Sequence, residues 1–148
     1  MAVDVQSAIV INRSLPEVSR YAANPDNAPL WYLNIKSVEW MTPPPAQVGS
    51  RIAFVAHFLG RRLAYTYEIV EFIPEVRLVM RTSDGPFPME TSYAWDSNPN
   101  GTTRMTLRNR GTPAGFSVWV APLMAIAMRR ANRKDLALLK QRLERVDV

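Results

Sequence analysis

The sequence predicts an α+β fold: a seven-stranded antiparallel sheet wrapped around one long C-terminal helix, with two short helices between the first two strands. Three observations carry this. Apolar residues near the C-terminus recur at helical spacing, at Ala121, Ala125, Met128, Leu136, Leu139, Leu143 and Val146, with Asn132 as the one gap. Steps of three and four residues place all of these on one helix face. Most of the chain from Ile35 to Arg110 alternates apolar and polar residues with period two, as half-buried strands do. The breaks in that alternation are short and rich in proline, glycine and asparagine, and short connections force antiparallel neighbours.

In chain order, Val3, Val5, Ser7, Ile9 and Ile11 alternate with Asp4, Gln6, Ala8 and Val10 as a first strand. Ser14, Pro16 and Glu17 then have the spacing of a capping box. Val18, Tyr21 and Ala22 give the helix they start an apolar side, and Asn24-Pro25 stops it. Asp26 to Leu33, with Pro29, Trp31 and Tyr32, is a second short helix or a structured loop. Ile35 to Met41 is a strand, and the three prolines between Thr42 and Gln47 make a rigid turn. Arg51 to Leu59 follows, with a tight hairpin expected at Gly60-Arg61. Further strands are expected from Leu63 to Val70, Arg77 to Thr82, Phe87 to Asp96 and Thr103 to Arg110, the last two joined at Asn98-Pro99-Asn100-Gly101. Thr112-Pro113 supplies a cap and a first-turn proline for the long helix. A helix of roughly 50 Å is not stable alone in water and needs a partner surface.

At 148 residues the chain reads as one domain, 1–148, large enough to bury a core without staples. It has no cysteine and one histidine, His57, which removes disulfides, thiol chemistry and Cys- or His-rich metal sites. No metal or other cofactor is expected. The N-terminus lacks the basic and apolar regions of a signal peptide, and no run is long enough to span a bilayer, so the expectation is a soluble cytoplasmic protein. The net charge of +5 and pI near 10.0 come from dispersed basic residues, apart from Arg129, Arg130, Arg133 and Lys134. No nucleic-acid motif accompanies them, and no nucleic-acid partner is expected.

Several stretches resemble the START-like, polyketide cyclase/dehydrase and lipid-transport superfamily (SRPBCC), whose architecture is the helix-grip fold. Val48-Gly49-Ser50-Arg51 resembles the opening of its third strand. The run Leu63 to Pro74 (LAYTYEIVEFIP) is similar to its next strand and turn, Gly101-Thr102-Thr103-Arg104-Met105 to its "GTR" hairpin, and Ala131 to Lys140 to its closing helix. The resemblance covers nearly the whole chain and is specific for fold, because these are mostly turn and packing residues; fold alone does not choose among the family's activities.

The resemblance implies a cavity between the concave sheet face and the long helix. Strand alternation then assigns Phe54, Phe58, Tyr65, Tyr67, Met80, Phe87, Met89, Tyr93, Trp95, Met105 and Leu107 to the inward side. Tyrosine and tryptophan bury well but need hydrogen-bond partners, and methionine adapts to irregular shapes, a composition suited to a small-molecule site. Thr91, Asn109, Met128 and Asn132 complete the expected lining, with Asn132 either a polar contact for ligand or a structural amide. His57 shares parity with Arg51 and Val55, which directs it outward. Glu68 and Glu90 fall on the face that carries Arg77, Arg81, Arg104 and Arg108, where cross-strand charge pairing explains them. No catalytic constellation is visible, and catalytic residues stay unassigned.

The first half of the long helix, from Phe116 to Met128, is apolar almost all round, and Pro122 should kink it or mark its true start. Trp119, Leu123 and Ile126 fall away from the core stripe. Their face has three candidate covers: an anionic membrane, a second copy of the chain in a homodimer, or the Trp31 loop. The expected function is binding or carriage of a small hydrophobic, lipid-like or aromatic ligand. Two alternatives stay open: an aromatase/cyclase-type enzyme acting on polyketide-like substrates, and a membrane- or partner-docking module.

Overall fold

A computed structural model describes residues 3–112 and 121–145. Strand β1 (Val3–Ile11) leads into helix α1 (Leu15–Ala23), a 3₁₀ turn at Pro25–Asn27 and the single turn α2 (Ala28–Trp31). Six strands follow: β2 (Ile35–Trp40), β3 (Arg51–Phe58), β4 (Arg61–Ile73), β5 (Arg77–Asp84), β6 (Met89–Ser97) and β7 (Thr103–Gly111). Helix α3 (Ala121–Glu144) closes the chain. The expected helix start at Pro113, together with Phe116, Trp119 and Val146, lies outside the described residues; Pro122 is the second residue of α3 as described.

All seven strands form one antiparallel sheet in the order β1-β7-β6-β5-β4-β3-β2. The two-residue loop Leu59-Gly60 joins β3 to β4, with Phe58 opposite Arg61 and both loop residues at positive φ, 51° and 75°. That geometry matches the right-handed strand twist and puts the turn one residue earlier than the sequence reading. Strand β6 begins at Met89, so Phe87 sits in the preceding turn rather than in the strand. A register shift between Ile69 and Glu71 in β4 reverses the strand's parity. Beyond it Phe72 packs on the core while Ile73 is exposed.

The concave face and α3 share the main core. Ile11, Val18, Trp31, Ile52, Ile69, Leu78, Met105, Leu107, Leu136 and Leu139 are almost fully buried there. Polar contacts fix the C-terminal half of α3. Lys140 Nζ donates to the Val10 carbonyl at 2.9 Å and pairs with Glu144, whose Oε2 accepts the Asn12 N–H at 3.0 Å. Arg142 Nε donates to the Leu30 carbonyl at 2.9 Å. The convex face carries ion pairs in place of a core: Arg51–Glu68, Arg77–Glu71, Arg81–Glu90 and Arg108–Asp4. His57 lies on that exposed side. Ser14 does not cap α1 through its side chain; its Oγ bonds Glu17 Oε1 at 3.0 Å.

Candidate functional site

Between the sheet and the first half of α3 lies a cavity of about 140 Å³. Its sheet wall runs across Phe54, Ala56 and Phe58 of β3, Leu63, Tyr65 and Tyr67 of β4, Met80 of β5, Met89, Thr91 and Tyr93 of β6, and Asn109 of β7. Phe87 reaches it from the β5–β6 turn, and Ala28, Tyr32 and Asn34 reach it from the α2 region. The helix wall is Met124, Met128, Ala131, Asn132 and Asp135. Gly85 lets the turn approach that wall closely, since a Cβ there would stand 3.0 Å from the Tyr65 Cβ.

The polar groups on this wall are ordered into a chain with a direction. Thr91 Oγ1 donates to Asn109 Oδ1 at 2.6 Å. A threonine hydroxyl has one proton, so the Tyr67 hydroxyl, 2.8 Å from Thr91 Oγ1, must be the donor in that contact. Asn109 Nδ2 donates to Asn132 Oδ1 at 2.7 Å. With Asn132 Oδ1 accepting, the Nδ2 of the same amide is a buried donor with no partner among the described residues. Three strands thus hand their hydrogen bonds toward one helix residue, whose last donor is unspent.

A second polar group faces the tyrosines. Tyr32 and Tyr93 share a hydroxyl–hydroxyl bond of 2.7 Å, and Trp31 lies against both rings. Asp135, buried, accepts the Leu33 N–H at 3.0 Å. Burial pushes its carboxyl up to about 7, against the opposing pull of that N–H. Burial also raises all four cavity tyrosines, Tyr67 to about 12 and Tyr32, Tyr65 and Tyr93 well above the ordinary range. They are therefore neutral at physiological pH, and each can give and accept a hydrogen bond.

The sequence model of the family described as polyketide cyclase / dehydrase and lipid transport matches residues 2–144. The chain belongs to that family. No curated protein matches it in sequence. Among solved structures, the Thermus thermophilus protein TTHA0849 superposes with a TM-score of 0.81 at 19% identity, over 95% of this chain and 96% of that one. A START superfamily protein from Mycobacterium smegmatis gives 0.79 at 11%, over 95% and 97%. The Zhui aromatase/cyclase from Streptomyces sp. R1128 gives 0.79 at 14%, over 96% and 93%. These likenesses establish the shared helix-grip fold.

In this member of the family, twelve of the fifteen residues assigned to the cavity from sequence stand on its wall: Phe54, Phe58, Tyr65, Tyr67, Met80, Phe87, Met89, Thr91, Tyr93, Asn109, Met128 and Asn132. Trp95 and Met105 do not, and neither does Leu107. Their parity is inward, but they lie further along the strands. Trp95 pairs with Met105 two steps beyond the Thr91–Asn109 pair, roughly 13 Å away at 3.3 Å per residue. There the Leu136 and Leu139 half of α3 fills the space as core. Period-two alternation identifies a face and not a position along it.

Asp135 and Tyr32 were missed. The signal for Asp135 was present: Met128, Asn132 and Asp135 are spaced i, i+4, i+7, so two polar residues share the helix face of the apolar stripe. Tyr32 carried no such mark, because nothing in a loop sequence fixes a ring's direction. Trp31 is fully buried against Tyr32 and Tyr93, so it does not cover the outer side of α3, where Leu123 and Ile126 stay exposed.

Proposed function

We propose that this domain binds a small molecule with a flat apolar body and at least one hydrogen-bond-accepting oxygen, held between the sheet and the first half of α3. The observation that carries the reading is Asn132 Nδ2, buried on the cavity wall and unpartnered at the end of the Tyr67–Thr91–Asn109 chain. An unmet buried donor costs about 1–3 kcal/mol, and a ligand carbonyl or phenol oxygen placed there recovers much of that. Most of the apolar wall is aromatic rings and methionines, which suit a ring. The volume, about 140 Å³, is close to the roughly 150 Å³ of an engineered apolar cavity that admits benzene, so a single substituted ring is the natural size.

Thermal unfolding in the presence of acetophenone and of its near-isostere α-methylstyrene tests this. A ligand at about a hundred times its Kd stabilises by about 2.7 kcal/mol. That corresponds to a rise in Tm of roughly 5–10 °C for a chain of this size. The ketone should give the larger rise, and Asn132→Leu should abolish the difference between the two. A cavity that takes neither ring at millimolar concentration overturns the reading.

A second reading, catalysis of the aromatase/cyclase type, is favoured by Asp135. A cavity carboxyl poised at about 7 beside neutral tyrosines is able to give or take a proton near neutral pH. Asp135→Asn should then abolish turnover of a poly-β-keto substrate while leaving ligand-induced stabilisation in place. Unchanged turnover would exclude Asp135 as the proton carrier.

A further inference from the structure

At about 100° per residue, the residues of α3 divide into two opposed sectors. Met124, Asn132, Asp135, Leu136 and Leu139 face the protein and are buried. Leu123, Ile126, Arg129, Arg130, Arg133 and Lys134 fall within one sector of roughly 140° on the other side, and all six are exposed. Leu123 and Ile126 are 64% and 60% exposed, far beyond what large aliphatic side chains show in a core. From Ala121 to Lys134 the helix contains no acidic residue; the next one, Asp135, points inward. None of the four cations is held in an ion pair or hydrogen bond among the described residues. The outer face of α3 is thus a short apolar tip followed by four unneutralised positive charges, spread over roughly 16 Å of helix.

We propose that this face docks the protein on an anionic lipid surface. Charge complementarity selects the partner: basic residues near an anionic leaflet contribute about 1 kcal/mol each, and exposed aliphatics beside them can enter the headgroup boundary. Nucleic acid would use the cations but has no place for Leu123 and Ile126. An acidic protein would use the cations without needing an apolar tip at one end of them. No helix among the described residues is long and apolar enough to cross a membrane, so the contact is peripheral. It also places the docked face back to back with Met124 and Met128 of the cavity wall.

Co-sedimentation of the full chain with phosphatidylcholine vesicles, with and without phosphatidylglycerol, tests the proposal. Binding should require phosphatidylglycerol and weaken as salt is raised. Arg130→Glu with Arg133→Glu should reduce it by at least about tenfold, and Leu123→Ser with Ile126→Ser by several-fold, with circular dichroism and the unfolding midpoint unchanged because all four positions are exposed. Equal binding to neutral and anionic vesicles overturns it. So does binding to short duplex DNA that matches vesicle binding and ignores the Leu123 and Ile126 changes. Concentration-dependent dimerisation lost in the serine variant, with no vesicle binding, would assign the face to a second copy and overturn it as well.

Discussion

The carboxylate of Asp135 receives the backbone N–H of Leu33 across 3.0 Å, so one buried acid ties the middle of α3 to the segment that follows α2. The bond satisfies a backbone donor, while the burial that surrounds it opposes the negative charge.

That opposition gives a pH dependence of known sign. The Asp135 carboxyl titrates near 3.8 when exposed and near 7 in the folded chain, so between those values the native state holds the extra proton. Stability from this group is complete below about pH 4 and is lost as pH rises through 7. A pKa difference of that size corresponds to a loss of at most about 4 kcal/mol of stability across that range. Asp135→Asn keeps an acceptor for Leu33 and carries no charge. Urea unfolding at pH 5 and pH 8 should show the variant gaining on the parent at pH 8; parallel profiles would show that Asp135 is not strained by its burial.

The directed chain at the sheet predicts an order of costs. Tyr67→Phe removes only the first donor and should destabilise by about 1 kcal/mol. Thr91→Val, in the middle, strands both the Tyr67 proton and Asn109 Oδ1 and should cost more, about 1–3 kcal/mol. Equal costs from denaturant titrations would mean that the bonds act singly rather than in sequence.

Met105 offers a control for the cavity's extent. It is fully buried but stands off the cavity wall, so Met105→Ala should destabilise by about 2–5 kcal/mol and leave the affinity for a ring ligand unchanged. Tyr93→Ala, on the wall, should change that affinity. Both are read by calorimetric titration with acetophenone beside equilibrium unfolding.

At the β3–β4 hairpin, Leu59 holds a left-handed conformation, φ 51°, with an exposed side chain. Such a conformation costs a bulky residue roughly 1–2 kcal/mol, and asparagine is favoured in a turn of this type. Leu59→Asn should raise the unfolding free energy by about 0.5–1 kcal/mol, measured by urea titration. A loss of stability would show that Leu59 makes a contact worth more than its backbone strain.

The fold was legible because its signals are periodic: alternation gave the strands their faces, and the recurrence of Leu136, Leu139 and Leu143 gave the helix its inner side. Turn positions were legible to within a residue, as at Leu59-Gly60. Depth was not. Trp95 and Met105 share parity with Tyr93 and Asn109, and only the packing of α3 decides which end of the strands stays open. Asp135 shows another limit: its spacing from Asn132 was readable, but a carboxylate on a helix is ordinarily solvated, and its burial depends on Leu33, a hundred residues earlier in the chain.

The pairing of β1 with β7 carries a last consequence. Val3 lies opposite Gly111 and Ile11 opposite Thr103, so among the described residues the first strand finds its one strand neighbour about a hundred residues later. Contacts of such long sequence separation slow folding, because the loop must close before the pairing stabilises it. During synthesis the β1 segment therefore stays without its partner until β7 has emerged from the ribosome. Its alternating valines and isoleucines then spend most of translation as an unpaired strand, the stretch of this chain for which a chaperone has most to do.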